Sequence, residues 1–309
     1  MDPDLDIVAF ATELAYDQQV VGNSFEAMPG FRVDRVFDDL WDNTGFYGVG
    51  FANPDAGLTL VAIRGSQDRL DVVTDANLGI GQYLANRVPL IEYIGSHILA
   101  NRVTIAGHSL GGALSQYLGY DAAREFPAFR KHIVVHTHNA LGGRTGIAKM
   151  HGSYDPAIVE GVTFRNYRHP DDPVSRIGGQ AGGSVFNLAD PDPMPNGLFF
   201  AHANARFLRS GGSSPFERLM PADDEAFAIT QTLDELGPQL SLALRQIVDN
   251  DDPINAFARI SRLVTLVPVG ERRQFYALIG DILPFGKLWR RSFGRLLRGG
   301  KLTRRERTR

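Results

Sequence analysis

The sequence predicts an α/β protein: a central, mostly parallel sheet flanked by helices, followed by an all-helical C-terminal extension. Three observations carry that expectation. Through residue 210, short β-branched or aromatic runs alternate with segments whose apolar residues recur at helical spacing. From Gly211-Gly212-Ser213-Ser214-Pro215 onward the strand runs stop, and helical segments follow one another at 222–235, 239–249, 253–267 and 271–283. Within the first of these regions lies the stretch around which the chain is organised. At 103–106 a run of apolar or β-branched residues enters Gly107-His108-Ser109-Leu110-Gly111-Gly112 and passes at once into an Ala/Leu-rich segment, giving strand, tight turn and helix.

Taken in order, Leu5, Val8, Ala9, Ala11, Leu14 and Ala15 recur at helical spacing and predict an N-terminal helix over 5–20. Runs at 31–37, 46–51 and 58–63 predict a meander of strands, with Asn53-Pro54-Asp55-Ala56-Gly57 as a turn between the last two. Residues 67–83 form a loop with some helix, and 84–99 a helix in which Pro89 marks either the first turn or a kink. The helix after Ser109 ends near Phe126-Pro127. Strands at 132–138, 162–167 and 184–188 follow, then a turn-rich stretch at 190–197 and a helix over 199–208. The chain is thereby divided into a catalytic-type α/β domain (1–210), a helical extension (211–285) and a basic tail (286–309).

Composition narrows the function classes. With 43% hydrophobic and 22% charged residues the chain is that of an ordinary globular protein. There is no cysteine, so disulfides and thiolate metal sites are excluded. The acidic start, Met1-Asp2-Pro3-Asp4-Leu5-Asp6, lacks the basic and apolar regions of a secretory signal, and no run of about 18 apolar residues exists to span a membrane. A cytoplasmic or peripheral-membrane location, or export by a signal-independent route, is expected. The net charge of −3 conceals an asymmetry: residues 287–309 hold ten Lys/Arg against Glu306, a formal +9. Within that tail Leu288, Trp289, Phe293, Leu296 and Leu297 share a helical face alongside Arg290, Arg291, Arg295 and Arg298, as suits an anionic membrane surface; a solvated tail is the plainer alternative. No basic patch elsewhere points to nucleic acid.

The chemistry starts from Gly107-His108-Ser109-Leu110-Gly111. A serine raised on a strand-to-helix turn requires neighbours without β-carbons two residues before and after it, and the following helix presents its N–H groups toward that serine. A serine hydroxyl needs a histidine base and an acid that orients it, and in α/β-hydrolases the partners follow in the order Ser, Asp/Glu, His. The strand at 162–167 runs into Arg168-His169-Pro170-Asp171-Asp172-Pro173-Val174, a loop with two carboxylates, and beyond it one histidine remains, His202. Leu110, just after the serine, is one candidate oxyanion-hole donor, and Ser66, after Arg64-Gly65 at the end of a strand, is the other. His108 is expected to pack or hydrogen-bond. Arg64 is expected to brace its loop. His132, His136 and His138 alternate along one strand without the carboxylates a metal site would want.

These motifs together, Arg64-Gly65-Ser66 with Asp71 and Asp75 behind it, Gly107-His108-Ser109-Leu110-Gly111-Gly112-Ala113-Leu114, Asp172-Pro173-Val174, and one downstream histidine, resemble the class 3 (fungal-type) lipase family of the α/β-hydrolase superfamily. The resemblance implies Ser109 as nucleophile, His202 as base, Asp172 rather than Asp171 as acid, and Ser66 with Leu110 as oxyanion donors. It implies fatty-acid esters as the substrate class and requires neither metal nor organic cofactor. The function expected is hydrolysis of lipid acyl esters, of triacylglycerol lipase or phospholipase A type. The alternatives are a short-chain esterase or thioesterase, and a non-catalytic membrane-docking protein.

Overall fold

Period-two alternation with apolar residues on both faces is what a sheet covered on both sides requires, and β3 and β4 show it directly. The computed structural model describes residues 3–38, 44–65, 79–170, 172, 174–189, 202–209, 213–222 and 267. Its strands are β1 (Arg32–Asp38), β2 (Tyr47–Asn53), β3 (Leu58–Ile63), β4 (Arg102–His108), β5 (Ile133–His138), β6 (Thr163–Arg168), β7 (Ser184–Leu188) and β8 (Leu219–Ala222). They lie side by side in chain order in one eight-stranded sheet. The pairs from β3 to β7 are parallel, while β1, β2 and β8 run antiparallel to their neighbours.

Among the described residues four helices cover the sheet: α1 (Leu5–Leu14), α2 (Ile80–His97), α3 (Leu110–Glu125) and α4 (Arg144–His151). Val61, Ile63, Val103, Ile105, Ile133 and Val135 turn to one face and form a core with Tyr83, Leu90, Leu114, Tyr117 and Ile147 of α2, α3 and α4. The intervening residues Leu60, Ala62 and Ala106 turn to the other face and meet Val8 and Ala11 of α1. Helix α3 is the central one. Every residue over 110–123 is buried, and Gly119 lets it approach β5, since a Cβ there would lie 2.5 Å from Val135 Cγ2.

The expected α/β architecture is present, with differences at element ends. Helix α1 stops at Leu14 rather than running to 20, and the chain turns at Tyr16, whose N–H donates to Glu13 O at 2.9 Å. Helix α2 starts earlier than expected, at Ile80 after the left-handed Gly79, so Pro89 sits inside it. His132 closes an exposed 3-10 turn, Pro127–His132, and so does not share the strand with His136 and His138. Within 199–208 the described helical turn is Asn204–Phe207.

The sheet also runs past the boundary placed at residue 210. Leu219-Met220-Pro221-Ala222 forms β8 at the edge, where a proline's missing N–H costs no ladder bond on its free side. Val267 is buried in the α2–α4 core. Apart from 213–222 and Val267, the expected helical extension (211–285) and the basic tail 286–309 lie outside the described residues. Among the described residues no helix is long and apolar enough to cross a membrane.

Candidate active site

Three side chains meet at the C-terminal ends of the parallel strands, where open α/β sheets place their sites. Ser109 stands between β4 and α3 with φ 58° and ψ −127°, a conformation a non-glycine residue rarely adopts and the one a nucleophile elbow demands. Its backbone is pinned on both sides: Ser109 N–H donates to His138 O at 3.1 Å, and Ser109 O accepts from Gly112 N at 3.0 Å and Leu141 N at 3.3 Å.

The glycines flanking it are required by proximity. A Cβ on Gly107 would lie 2.2 Å from Gly111 O, and one on Gly111 would lie 2.2 Å from Ile63 O. The second approach matters most, because it draws the end of β3 against the first turn of α3. Gly111→Ala would push these apart, and we expect it to destabilise the protein by about 3 kcal/mol. The expected readout is a lowered urea midpoint with an unchanged m value; a midpoint equal to wild type would refute the close approach.

His202 reaches Ser109 from beyond β7. Its Nε2 lies 2.8 Å from Ser109 Oγ, and its Nδ1 lies 3.1 and 3.2 Å from the two carboxylate oxygens of Asp172. A carboxylate only accepts, so Nδ1 carries the proton and Nε2 is left to accept from the serine hydroxyl. Asp172 is fully buried, and its oxygens are held in place: Oδ1 accepts from Val174 N at 3.1 Å and Oδ2 from Ser175 N at 3.2 Å. Ser109 and His202 are 2% and 7% exposed, so their hydrogen bond is shielded from competing water.

The segment that carries His202 is anchored on α1. Asn204 Nδ2 donates to Glu13 Oε2 at 2.7 Å, Arg209 Nη2 to Asp6 Oδ2 at 2.8 Å, and Ser214 Oγ to Asp6 Oδ1 at 2.7 Å. On the acid side, Asn139 adopts φ 44°, a left-handed conformation that asparagine tolerates. Its Oδ1 accepts from His169 N at 2.7 Å, which fixes the start of the loop bearing Asp172. Neither Asn139 nor the α1 clamp is signalled by local sequence pattern.

Of the candidate oxyanion donors, Leu110 is the first residue of α3, and the first N–H groups of a helix have no intrahelical acceptor. Ser66 lies outside the described residues, as do Asp71, Asp75 and Asp171, but its neighbour Gly65 is described and closes on the elbow. A Cβ at Gly65 would lie 2.6 Å from His108 O and 3.2 Å from Ser109 Cβ. Arg64 braces this strand end, with Nη2 donating to Gly45 O at 3.1 Å and the guanidinium 4.9 Å from the Tyr47 ring centre. His108 is buried and hydrogen-bonded on both ring nitrogens. Desolvation, reinforced by the neighbouring His202, holds its pKa well below the usual histidine value. Among the described residues no cluster of three or more His, Cys, Asp or Glu side chains is arranged to hold a metal.

The sheet and its elbow define the protein as an α/β-hydrolase in fold. Solved structures similar to it include a lipase from Rhizopus microsporus var. chinensis (17% identity, 61% of this chain and 74% of that one, TM-score 0.47). Others are lipase II from Rhizopus niveus (16%, 64% and 79%, 0.44) and a triacylglycerol lipase from Penicillium expansum (19%, 60% and 78%, 0.44). No protein-family model and no curated protein sequence matches the chain.

Proposed function

We propose that this protein is a serine carboxylic-ester hydrolase that cleaves acyl esters of lipids, of triacylglycerol lipase or phospholipase A type. The observation that supports the reading best is the Ser109–His202–Asp172 hydrogen-bonded chain on a strained strand-to-helix turn. Ser109 Oγ attacks the ester carbonyl carbon as His202 Nε2 takes the hydroxyl proton, forming the Oγ–C bond and a tetrahedral oxyanion. The imidazolium so formed is stabilised by Asp172. The amides of Leu110 and Ser66 receive the oxyanion. Collapse breaks the bond to the alcohol oxygen, which takes the proton back from His202, leaving an acyl-Ser109. A water molecule, deprotonated by the same imidazole, then releases the carboxylic acid and restores the serine.

The basic segment 286–309 extends this reading to anionic membranes, since cationic side chains beside Trp289 and Phe293 suit a phospholipid surface. Two measurements test the proposal. Treatment with a p-nitrophenyl alkylphosphonate, followed by peptide mass mapping, is expected to place one phosphonyl adduct on Ser109. Initial rates on p-nitrophenyl butyrate, a triacylglycerol emulsion and phosphatidylglycerol vesicles then rank the substrate classes. Labelling elsewhere, or inertness toward the phosphonate and all three esters, would overturn the reading; a preference confined to the butyrate would favour a short-chain esterase.

A further inference from the structure

One half-buried tyrosine joins two segments that the proposed reaction must hold in register. Tyr16 follows the end of α1, and its hydroxyl lies 2.9 Å from His108 Nδ1 and 3.2 Å from Gly65 N. On the far side of the ring, His108 Nε2 lies 2.5 Å from the main-chain carbonyl of His202. The proton positions follow from donor chemistry and from the burial of the ring. A carbonyl oxygen only accepts, so Nε2 carries the ring hydrogen. The ring is neutral, because burial disfavours its protonation, so Nδ1 is an acceptor and takes the phenol hydrogen. The phenol oxygen, having donated, accepts from Gly65 N–H. Burial holds that phenol in its protonated form.

The result is one directed chain: Gly65 N–H to Tyr16 Oη–H to His108 Nδ1, and His108 Nε2–H to His202 C=O. Gly65 directly precedes Ser66, whose amide is proposed to receive the oxyanion, and His202 is the proposed base. The four partners come from four separate parts of the fold: the turn after α1, the residues just past β3, β4 itself and the segment after β7. Gly65 must lack a side chain for this to form, because a Cβ there would lie 2.7 Å from the phenol oxygen.

We propose that Tyr16, acting through His108, is a positioning residue that sets the oxyanion loop and the His202 backbone relative to each other. This rests on the serine-hydrolase reading above. Tyr16 touches none of the reacting atoms. Its hydroxyl fixes Gly65 at the end of β3 and, through the imidazole, where the base's main chain sits. Removing the hydroxyl leaves two buried groups, Gly65 N–H and His108 Nδ1, to find other partners, and the strand end and the base loop lose their common reference.

The test uses Tyr16→Phe and His108→Gln in the full-length protein, with p-nitrophenyl butyrate hydrolysis and p-nitrophenyl alkylphosphonate labelling of Ser109 as readouts. Glutamine places an N–H where His108 Nε2 stands but no acceptor where Nδ1 stands. Tyr16→Phe is expected to lower kcat and the phosphonylation rate constant about 10- to 100-fold, with KM within about threefold of wild type. The same hydroxyl removed in the His108→Gln background is expected to cost less than in wild type, because one of its partners is already gone. Rates are referred to folded protein by circular dichroism.

Wild-type protein that takes no label and hydrolyses neither this ester nor the triacylglycerol emulsion nor the vesicles sinks the serine-hydrolase reading itself. Active wild type with a Tyr16→Phe kcat equal to it, or with the change confined to KM, overturns the positioning role alone. So does an additive cycle. Should Tyr16→Phe fail to fold, His108→Gln decides by itself: wild-type kcat and labelling rate in that variant would overturn the proposal, and a 10-fold or greater loss at constant KM would support it.

Discussion

Ser109→Ala is expected to lower kcat about a millionfold, and Asp172→Asn about ten-thousandfold, with both proteins folded. The serine variant removes the nucleophile and leaves only binding and the oxyanion donors. The aspartate variant is the more informative, because its effect depends on proton placement. Both oxygens of Asp172 are committed: each faces His202 Nδ1, and each also accepts a backbone N–H, from Val174 or Ser175. An asparagine keeps one acceptor and turns the other into an NH2 group, which cannot accept from the amide it faces. If the amide oxygen stays on Val174 or Ser175, the NH2 group is turned toward the imidazole and favours the tautomer protonated at Nε2, the wrong one for taking a proton from Ser109. The lost backbone hydrogen bond destabilises the loop by about 1–3 kcal/mol, so a thermal-melting control separates folding from catalysis. KM on p-nitrophenyl butyrate should stay near wild type while kcat collapses. An Asp172→Asn protein within tenfold of wild-type kcat would refute the orienting role.

The parts of this molecule that were legible in the sequence are those governed by local rules. Each of β1 to β7 was visible as a β-branched or aromatic run bounded by turn residues, most plainly β3, which lies between β2 and β4 and is buried along its whole length. Ser109 was visible because the elbow needs Gly107 and Gly111, and the close approaches of 2.2 Å explain why. His202 came from chain order, and Asp172 rather than Asp171 from the family resemblance; the structure places both within hydrogen-bonding distance of their expected neighbours. Strand β8 was not visible: it is four residues long, contains Pro221 and, among the described residues, pairs on one side only, so neither alternation nor length marks it. Nor were the links from Tyr16 to His108 and from His108 to His202, which join residues 92 and 94 positions apart. No periodicity encodes a contact that only the assembled sheet creates.

Stability is expected to fall steeply between pH 6.5 and pH 5, before the carboxylates begin to titrate. His136 and His138 point to the same face of β5, fully buried. His136 stacks on Tyr167 and His138 lies against Phe207, with ring centres 5.9 and 4.7 Å apart. None of their four ring nitrogens has a hydrogen-bond partner among the described residues. Desolvation, with added repulsion from His138 and Arg165 in the case of His136, lowers each pKa to about 3. In the unfolded chain both return to about 6.5. A folded pKa below the unfolded one means that the unfolded state binds more protons between the two values, so stability is full above pH 6.5 and is lost as pH falls toward 3. Each histidine contributes a slope of about 1.4 kcal/mol per pH unit in that window, or about 2 kcal/mol by pH 5. His108, shifted in the same direction, adds to the slope. Together these shifts are a large share of the 5–15 kcal/mol that typically holds a domain folded. Urea titrations at half-unit steps from pH 7.5 to 5 measure the slope. His136→Leu and His138→Phe keep the sites apolar, and each should flatten it by about one histidine's share. If both variants kept the wild-type slope, the two imidazoles would have to be protonated, or reached by water, in the folded protein, and the loss of stability in acid would have another source.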